Sequence, residues 1–199
     1  MYNCVLPTAT TVQIQNTQQP TSMEDLVWDE DAVINLSENL TIPFGSTLVI
    51  EEGVTVECDE GVQLRIEGGL QILGTEQKPV HFASYYESAK WNGIYIAPGA
   101  AASFEHTQIA DARIGVFGVK ANVEIYSSTI NNCFIGACFY GMNGEPPLVS
   151  SSIFSNNAWG VVTLNGADIV LQNNIIMLGQ KGVLIDASSP LFFGNEIKK

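Results

Sequence analysis

The sequence predicts an all-β fold, a single-stranded right-handed parallel β-helix with three sheets and seven to eight coils. Three observations carry this. Apolar residues pair at i and i+2, the pairs recur about every 22 residues, and Gly, Asn, Asp and Ser gather between them. An i, i+2 spacing marks short strands that send alternate side chains inward. Three such strands per repeat, each stacked on its equivalent in the next repeat, describe one coil of a solenoid. Parallel crossovers are right-handed in nearly all known cases, which sets the hand.

The registers can be followed along the chain. The first runs Ile34/Leu36, Val56/Cys58, Val80/Phe82, Ala102/Phe104, Val123/Ile125, Pro146/Leu148, Ile169/Leu171 and Pro190/Phe192. The second runs Leu48/Ile50, Leu70/Ile72, Ile94/Ile96, Val116/Gly118, Ala137/Phe139, Val161/Thr163 and Val183/Ile185. The third is thinner: Leu40/Ile42 and Val62/Leu64, then Ile109, Ile130, Ile153, Ile176 and Ile197. Steps in the two full registers are 21 to 24 residues. The corner residue types reach left-handed backbone at little cost, as tight corners require. An antiparallel sandwich would instead show two-residue hairpin signals and no fixed period. At ~4.8 Å per coil the body is roughly 35 Å long.

Residues 1–32 form a lead-in and 33–199 the β-helix domain. Thr21-Ser22 followed by Glu24-Asp25 reads as a helix N-cap, so a short capping helix is expected over Thr21 to Trp28. At the other end the pattern stops at Ile197-Lys198-Lys199 in mid-coil. Either the two lysines guard an edge or the solenoid continues.

Composition narrows the function classes. Of 199 residues 46% are hydrophobic and only 15% charged, which excludes a disordered chain. The net charge of −13 repels phosphate backbones, so no nucleic-acid partner is expected. Twelve acids fall between Glu24 and Glu67 against Arg65 alone, and the rest of the chain is nearly neutral. The uncharged stretches 125–144 and 146–167 are rich in Asn, Ser and Gly, so no membrane span is expected. Residues 1–22 lack the basic and Leu-rich regions of a signal peptide. Cys4, Cys58, Cys133 and Cys138 show no CxxC spacing and leave the redox compartment open.

The stretch Leu26 to Ile96 contains "LTIPFGSTLVIEEGVTV", "GLQILGT", "KPVHFAS" and "WNGIYI". On these motifs the chain resembles bacterial surface and secreted right-handed β-helix repeat proteins of the broad pectate-lyase-like superfamily. The resemblance implies the fold and an extracellular or cell-surface location. It implies no activity, because the matching positions look architectural in that family.

No catalytic residue is assigned. Enzymes of this fold that cut acidic polysaccharides resemble one another in holding several Asp on adjacent coils. Here Asp111, Asp168 and Asp186 fall at different corners. Asp111 suits an ion pair with Arg113 or a polar ladder with Asn132 one coil on. His81 faces solvent from a strand and His106 lies in a connection, without a third ligand. Cys58 sits in a core column, and no base accompanies any cysteine.

Three candidate sites remain. Glu57, Asp59 and Glu60, near Glu51 and Glu52, form an acidic cluster that either is solvated or binds Ca²⁺; no other cofactor is expected. The excursion Ala83 to Asn92 breaks the period, and its Tyr85, Tyr86, Lys90 and Trp91, with Glu87, suit a sugar-stacking platform. A second excursion is Tyr140 to Glu145. In the second register the outward residues are Val49, Gln71, Tyr95, Phe117, Cys138, Val162 and Leu184. The last five make an apolar stripe, covered by segment 1–22 or a corner loop, or serving as an interface for a protein partner or a second copy. The resulting expectation is a non-catalytic β-helix scaffold or binding module that recognises glycan or protein. The alternative is a carbohydrate-active enzyme: a polysaccharide lyase, hydrolase or epimerase.

Overall fold

The computed structural model describes residues 11–14, 25–86 and 88–199, the first of these segments by its backbone alone. The described residues are all strand and turn: three parallel sheets stacked coil upon coil, about eight coils among them. Within a coil the chain passes through sheet I, sheet II and sheet III. Sheet I has nine strands, from Thr11–Ile14 and Val33–Leu36 to Glu196–Ile197. Sheet II has seven, from Leu40–Ile42 to Lys181–Asp186. Sheet III has eight, from Leu26–Trp28 to Leu191–Phe193.

Ladders of like residues fill the interior. In sheet I the inward column reads Ile34, Val56, Phe82, Ile109, Ile130, Phe154 and Ile176. In sheet III it reads Ile50, Ile72, Phe104, Ile125, Val149 and Leu171. All of these are buried, and each such side chain contributes about 1.5–3 kcal/mol relative to exposure.

The architecture agrees with the sequence expectation, but the strand assignment slips by one sheet. Val80/Phe82 belongs to sheet I, whereas Ala102/Phe104 and its successors belong to sheet III. Leu70/Ile72 belongs to sheet III and Ile94/Ile96 to sheet II. Leu64 is in sheet II, and Ile109 onward is in sheet I. The cause is one long coil. Leu70 pairs with Ala102, 32 residues on, where its neighbours step by 21 to 24. The surplus lies in residues 74–79, an excursion the sequence reading missed, and in 85–92. A surplus of about one strand and corner moves every later strand to the next sheet, so the wrong pairing keeps steps near 22.

Two positions are also off by one. Pro147 and Val149, not Pro146 and Leu148, point inward, and Phe154 replaces Ile153 in the core column. Of the expected capping helix, Leu26–Trp28 is a strand of sheet III and 21–24 lie outside the described residues. Trp28 extends the inward column above Ile50, which is why this stretch stacks as strand.

Corners are closed by side chains of the next coil. Between sheets III and I, Thr107 N–H donates to Ser128 Oγ, Ser128 N–H to Ser152 Oγ, Ser152 N–H to Asn174 Oδ1 and Asn174 N–H to Asn195 Oδ1, at 2.9–3.1 Å. Thr107, Ser128, Ser152 and Asn174 are buried, so these bonds replace water that the corner excludes. Sheet II begins with a second device. Gly115, Gly136, Gly160 and Gly182 stack, and a Cβ on each of the first three would lie 2.5 Å from the next glycine's carbonyl oxygen.

Two substitutions test these devices. Asn174→Ala strands the Ser152 N–H and the Val149 carbonyl that Asn174 Nδ2 serves at 2.8 Å, so urea unfolding should show a loss of about 1–3 kcal/mol per orphaned group. Gly136→Ala places its Cβ against the Gly160 oxygen and Phe154 Cδ1 at 2.5 and 2.8 Å, so a loss of about 1–3 kcal/mol is expected. A neutral Gly136→Ala would show that the ladder spacing is not set by this contact.

Candidate functional site

The I–II corner carries the richest surface chemistry. Asp111, Asn132 and Asn156 turn the chain there with φ of 59°, 51° and 56°, a conformation that short polar side chains reach more readily than other residues. Their side chains remain free to bridge coils, and Asn132 Nδ2 donates to Asp111 Oδ1 at 2.5 Å. Asp111 therefore forms the ladder with Asn132. The ion pairs recorded among the described residues are Lys78 with Glu30 and Asp31, Arg65 with Glu67 and Lys198 with Glu196.

In the long coil, residues 85–92 project from this corner. Tyr85 and Tyr86 meet edge to face with centroids 4.8 Å apart, and they are 55% and 57% exposed. Lys90 reaches along the corner and donates from Nζ to the Asn132 carbonyl at 2.5 Å. Trp91 is separate from this group. It is fully buried, stacks on Phe82 at 6.0 Å and donates its indole N–H to the Ala110 carbonyl at 2.8 Å, so it fixes the loop's root and offers no face to a ligand. Glu87 lies outside the described residues.

From Lys90 an open cleft of about 460 Å³ runs down the corner past Asn132, Phe134, Asn156, Leu178 and Gln180. Phe134 and Leu178 are exposed, so the cleft alternates amides with apolar faces. The Asn spacing was legible in the sequence as corners, but the Lys90 reach and the exposure of Phe134 were not.

The thiols are chemically quiet. Cys58, Cys133 and Cys138 are free and buried. Burial raises all three: Cys133 and Cys138 are pushed up to about 11, and Cys58 rises further, with a smaller contribution from Asp59. With Cys4 replaced by Ser, the native protein should not react with a thiol-specific disulfide reagent at pH 8, and three thiols should titrate after denaturation. The raised values also set a sign. Unfolded thiols ionise near pH 9 while the folded ones stay protonated, so stability falls as pH rises from about 9 through 11. A denaturant midpoint flat across that window would contradict it.

Several acids of the early coils are met locally. Lys78, from the 74–79 excursion, contacts Glu30 at 2.5 Å and Asp31 at 2.7 Å, and these bonds raise its own pKa. Asp25 Oδ1 accepts from Thr47 N–H, and Glu51 Oε2 from Glu30 N–H. Glu57 lies outward on sheet I between Asn35 and Ala83, and Asp59 and Glu60 sit on the following corner. Among the described residues no three His, Cys, Asp or Glu side chains converge to hold a metal ion, these three included. His81, beside Thr55 and Gln108 on sheet I, and His106, at the III–I corner, are likewise not gathered with a third ligand.

The outward stripe is one ladder. Tyr95, Phe117, Cys138, Val162 and Leu184 pair in succession on sheet II. Val49 and Gln71 are displaced to sheet III by the same slip, and Arg65 precedes Tyr95 with its guanidinium 4.7 Å from the ring centroid. Two flanking columns went unnoticed in the sequence: Ile114, Ile135 and Trp159 on one side, Val119, Tyr140 and Leu164 on the other. The second lies two residues after the stripe and the first three residues before it, on the face that normally points to water, where an inward reading gives no reason to look.

A stack of parallel three-strand coils with a right-handed path defines the β-solenoid class. A family model described as the right-handed β-helix region matches residues 68–199, about two thirds of the chain, and the chain belongs to that family. No curated protein and no solved structure matches the chain.

Proposed function

We propose that the chain is a non-catalytic β-helix module of a surface or secreted protein, binding an extended carbohydrate along the I–II corner. One observation carries this reading: the exposed Tyr85–Tyr86 pair stands on the same loop as Lys90, and Lys90 lines the amide-bearing cleft. Aromatic faces pack against the apolar faces of pyranose rings. Asn132, Asn156 and Gln180 supply donors and acceptors suited to hydroxyls. The cleft follows the solenoid axis, so a linear chain meets a fresh amide on each coil. A net charge of −13 favours neutral over acidic glycans.

The enzyme reading has less support. Asp111 is engaged with Asn132 on the I–II corner, and Asp168 Oδ1 accepts from Ser189 N–H at 2.5 Å on another corner. Asp186 ends a sheet II strand. A surface or secreted setting follows the resemblance of the Leu26 to Ile96 motifs.

Glycan-array screening followed by calorimetry tests the proposal. A neutral linear oligosaccharide is expected to bind, and Tyr85→Ala/Tyr86→Ala is expected to weaken it at least about tenfold with an unchanged melting temperature. Full affinity in the double variant would remove the platform, and product formation from a bound glycan would return the enzyme.

A further inference from the structure

We propose that Asn143–Gly144 is a spontaneous modification site. In the folded chain Asn143 loses its side-chain amide and becomes aspartate or isoaspartate, while the two other Asn–Gly pairs are held unreactive. The inference does not depend on the corner cleft.

The sequence offers three equal candidates: Asn92–Gly93, Asn143–Gly144 and Asn165–Gly166. An asparagine side chain lies within reach of neighbouring backbone N–H groups, and a following glycine has no Cβ to crowd the approach. The reaction needs no enzyme. The Gly144 nitrogen gives its proton to water or hydroxide and attacks Asn143 Cγ. The N–Cγ bond forms, the Cγ–Nδ2 bond breaks, and the leaving nitrogen takes up a proton and departs as ammonia, leaving a cyclic imide. Water then opens the ring. Opening at Cγ gives an ordinary aspartate, and opening at the backbone carbonyl gives isoaspartate, with the chain running through Cγ. Nothing is oxidised or reduced; water enters and ammonia leaves.

The fold separates the three pairs. Asn92 is tied twice: its backbone N–H donates to the Val62 carbonyl at 2.7 Å and its Nδ2 to the Gly61 carbonyl at 2.5 Å. Gly93 is buried at the start of the strand Gly93–Ile96, and a Cβ there would lie 1.6 Å from the Ile114 carbonyl oxygen. The backbone has no room to turn toward the Asn92 side chain. Asn165 is exposed like Asn143, so exposure alone does not decide. However, the Gly166 N–H donates to the Ala187 carbonyl at 2.6 Å, and the Asn165 N–H to the Asp186 carbonyl at 3.0 Å. The nitrogen that would attack is committed to the bonding between coils and is released only when the corner opens.

Asn143–Gly144 carries neither restraint. Both residues are exposed, and among the described residues neither the Asn143 side chain nor the Gly144 N–H has a hydrogen-bond partner. A Cβ on Gly144 would meet nothing within 4 Å, so the backbone has space to rotate. The excursion is fastened on either side of the pair. Gly141 N–H donates to the Leu164 carbonyl at 3.0 Å, Asp168 N–H to Met142 Sδ at 3.2 Å and Val170 N–H to the Pro147 carbonyl at 2.8 Å. Between these fastenings the chain can gain a charge, and in isoaspartate one backbone carbon, without disturbing the strand Leu148–Ser150. Each conversion adds one negative charge to the net −13, beside Glu145.

Peptide mapping of the folded full chain after incubation at mildly alkaline pH tests the proposal. Conversion reads as a gain of about 1 Da in mass, and isoaspartate as methyl uptake from S-adenosylmethionine with an isoaspartyl methyltransferase as the probe. Asn143 is expected to convert at least about tenfold faster than Asn92 or Asn165, and in urea the three rates should converge, because only the fold tells the pairs apart. Asn143→Gln should abolish the slowly appearing acidic band in isoelectric focusing, with an unchanged melting temperature. An Asn143 that stays intact, or an Asn92 or Asn165 that keeps pace with it, overturns the proposal. A rate order that persists in urea also overturns it, since local sequence rather than the fold would then set the site.

Discussion

Parallel strands stacked at ~4.8 Å leave the corners, not the sheets, as the places where backbone groups can go unpaired. The chain meets that constraint with side chains offset by one coil. Thr107, Ser128, Ser152, Asn174 and Asn195 relay hydrogen bonds down the III–I corner, and Asn157 does the same for Cys133 N–H on the I–II corner at 2.8 Å. Each bond joins residues 21 to 24 apart, so the ladder enforces the period that the apolar columns reward. Where the period breaks, in the long coil, corner excursions take over. Lys78 from one of them holds the Glu30 and Asp31 carboxylates together.

This division of labour locates the functional chemistry. Sheet interiors are committed to packing and much of the III–I corner to the buried ladder, which leaves the corner excursions and the outward faces for other chemistry. The 85–92 excursion is anchored by buried Trp91 and displays Tyr85 and Tyr86. A rigid root with an exposed tip limits the ordering that a ligand must impose. The outer face of sheet II offers a different kind of surface, apolar along three columns.

The fold was legible because burial in a solenoid is repetitive: alternation gives strands, recurrence gives coils. The same repetition hid the long coil, since an i, i+2 apolar pair is identical on all three sheets and a surplus of one strand length restores the period. The off-by-one at Pro147 and Val149 has a related cause, because Pro146, Pro147, Leu148 and Val149 are all apolar and the sequence offers two phases. Of the candidate sites, Tyr85 and Tyr86 were visible as a break in the period. The cleft beside them needed Phe134, Asn156 and Gln180 from later coils, which no local pattern links to Lys90.

By itself the sequence determined the class, the number of coils, the acidic opening and the apolar stripe, because each follows from local alternation, recurrence or a charge count. Tertiary structure alone decided which strand lies on which sheet, which polar residues are buried in ladders and which are displayed. It also decided that the stripe is the centre of a three-column face. Those facts depend on the length of every connection summed along the chain, and a single long coil changes them all downstream while leaving each local pattern intact.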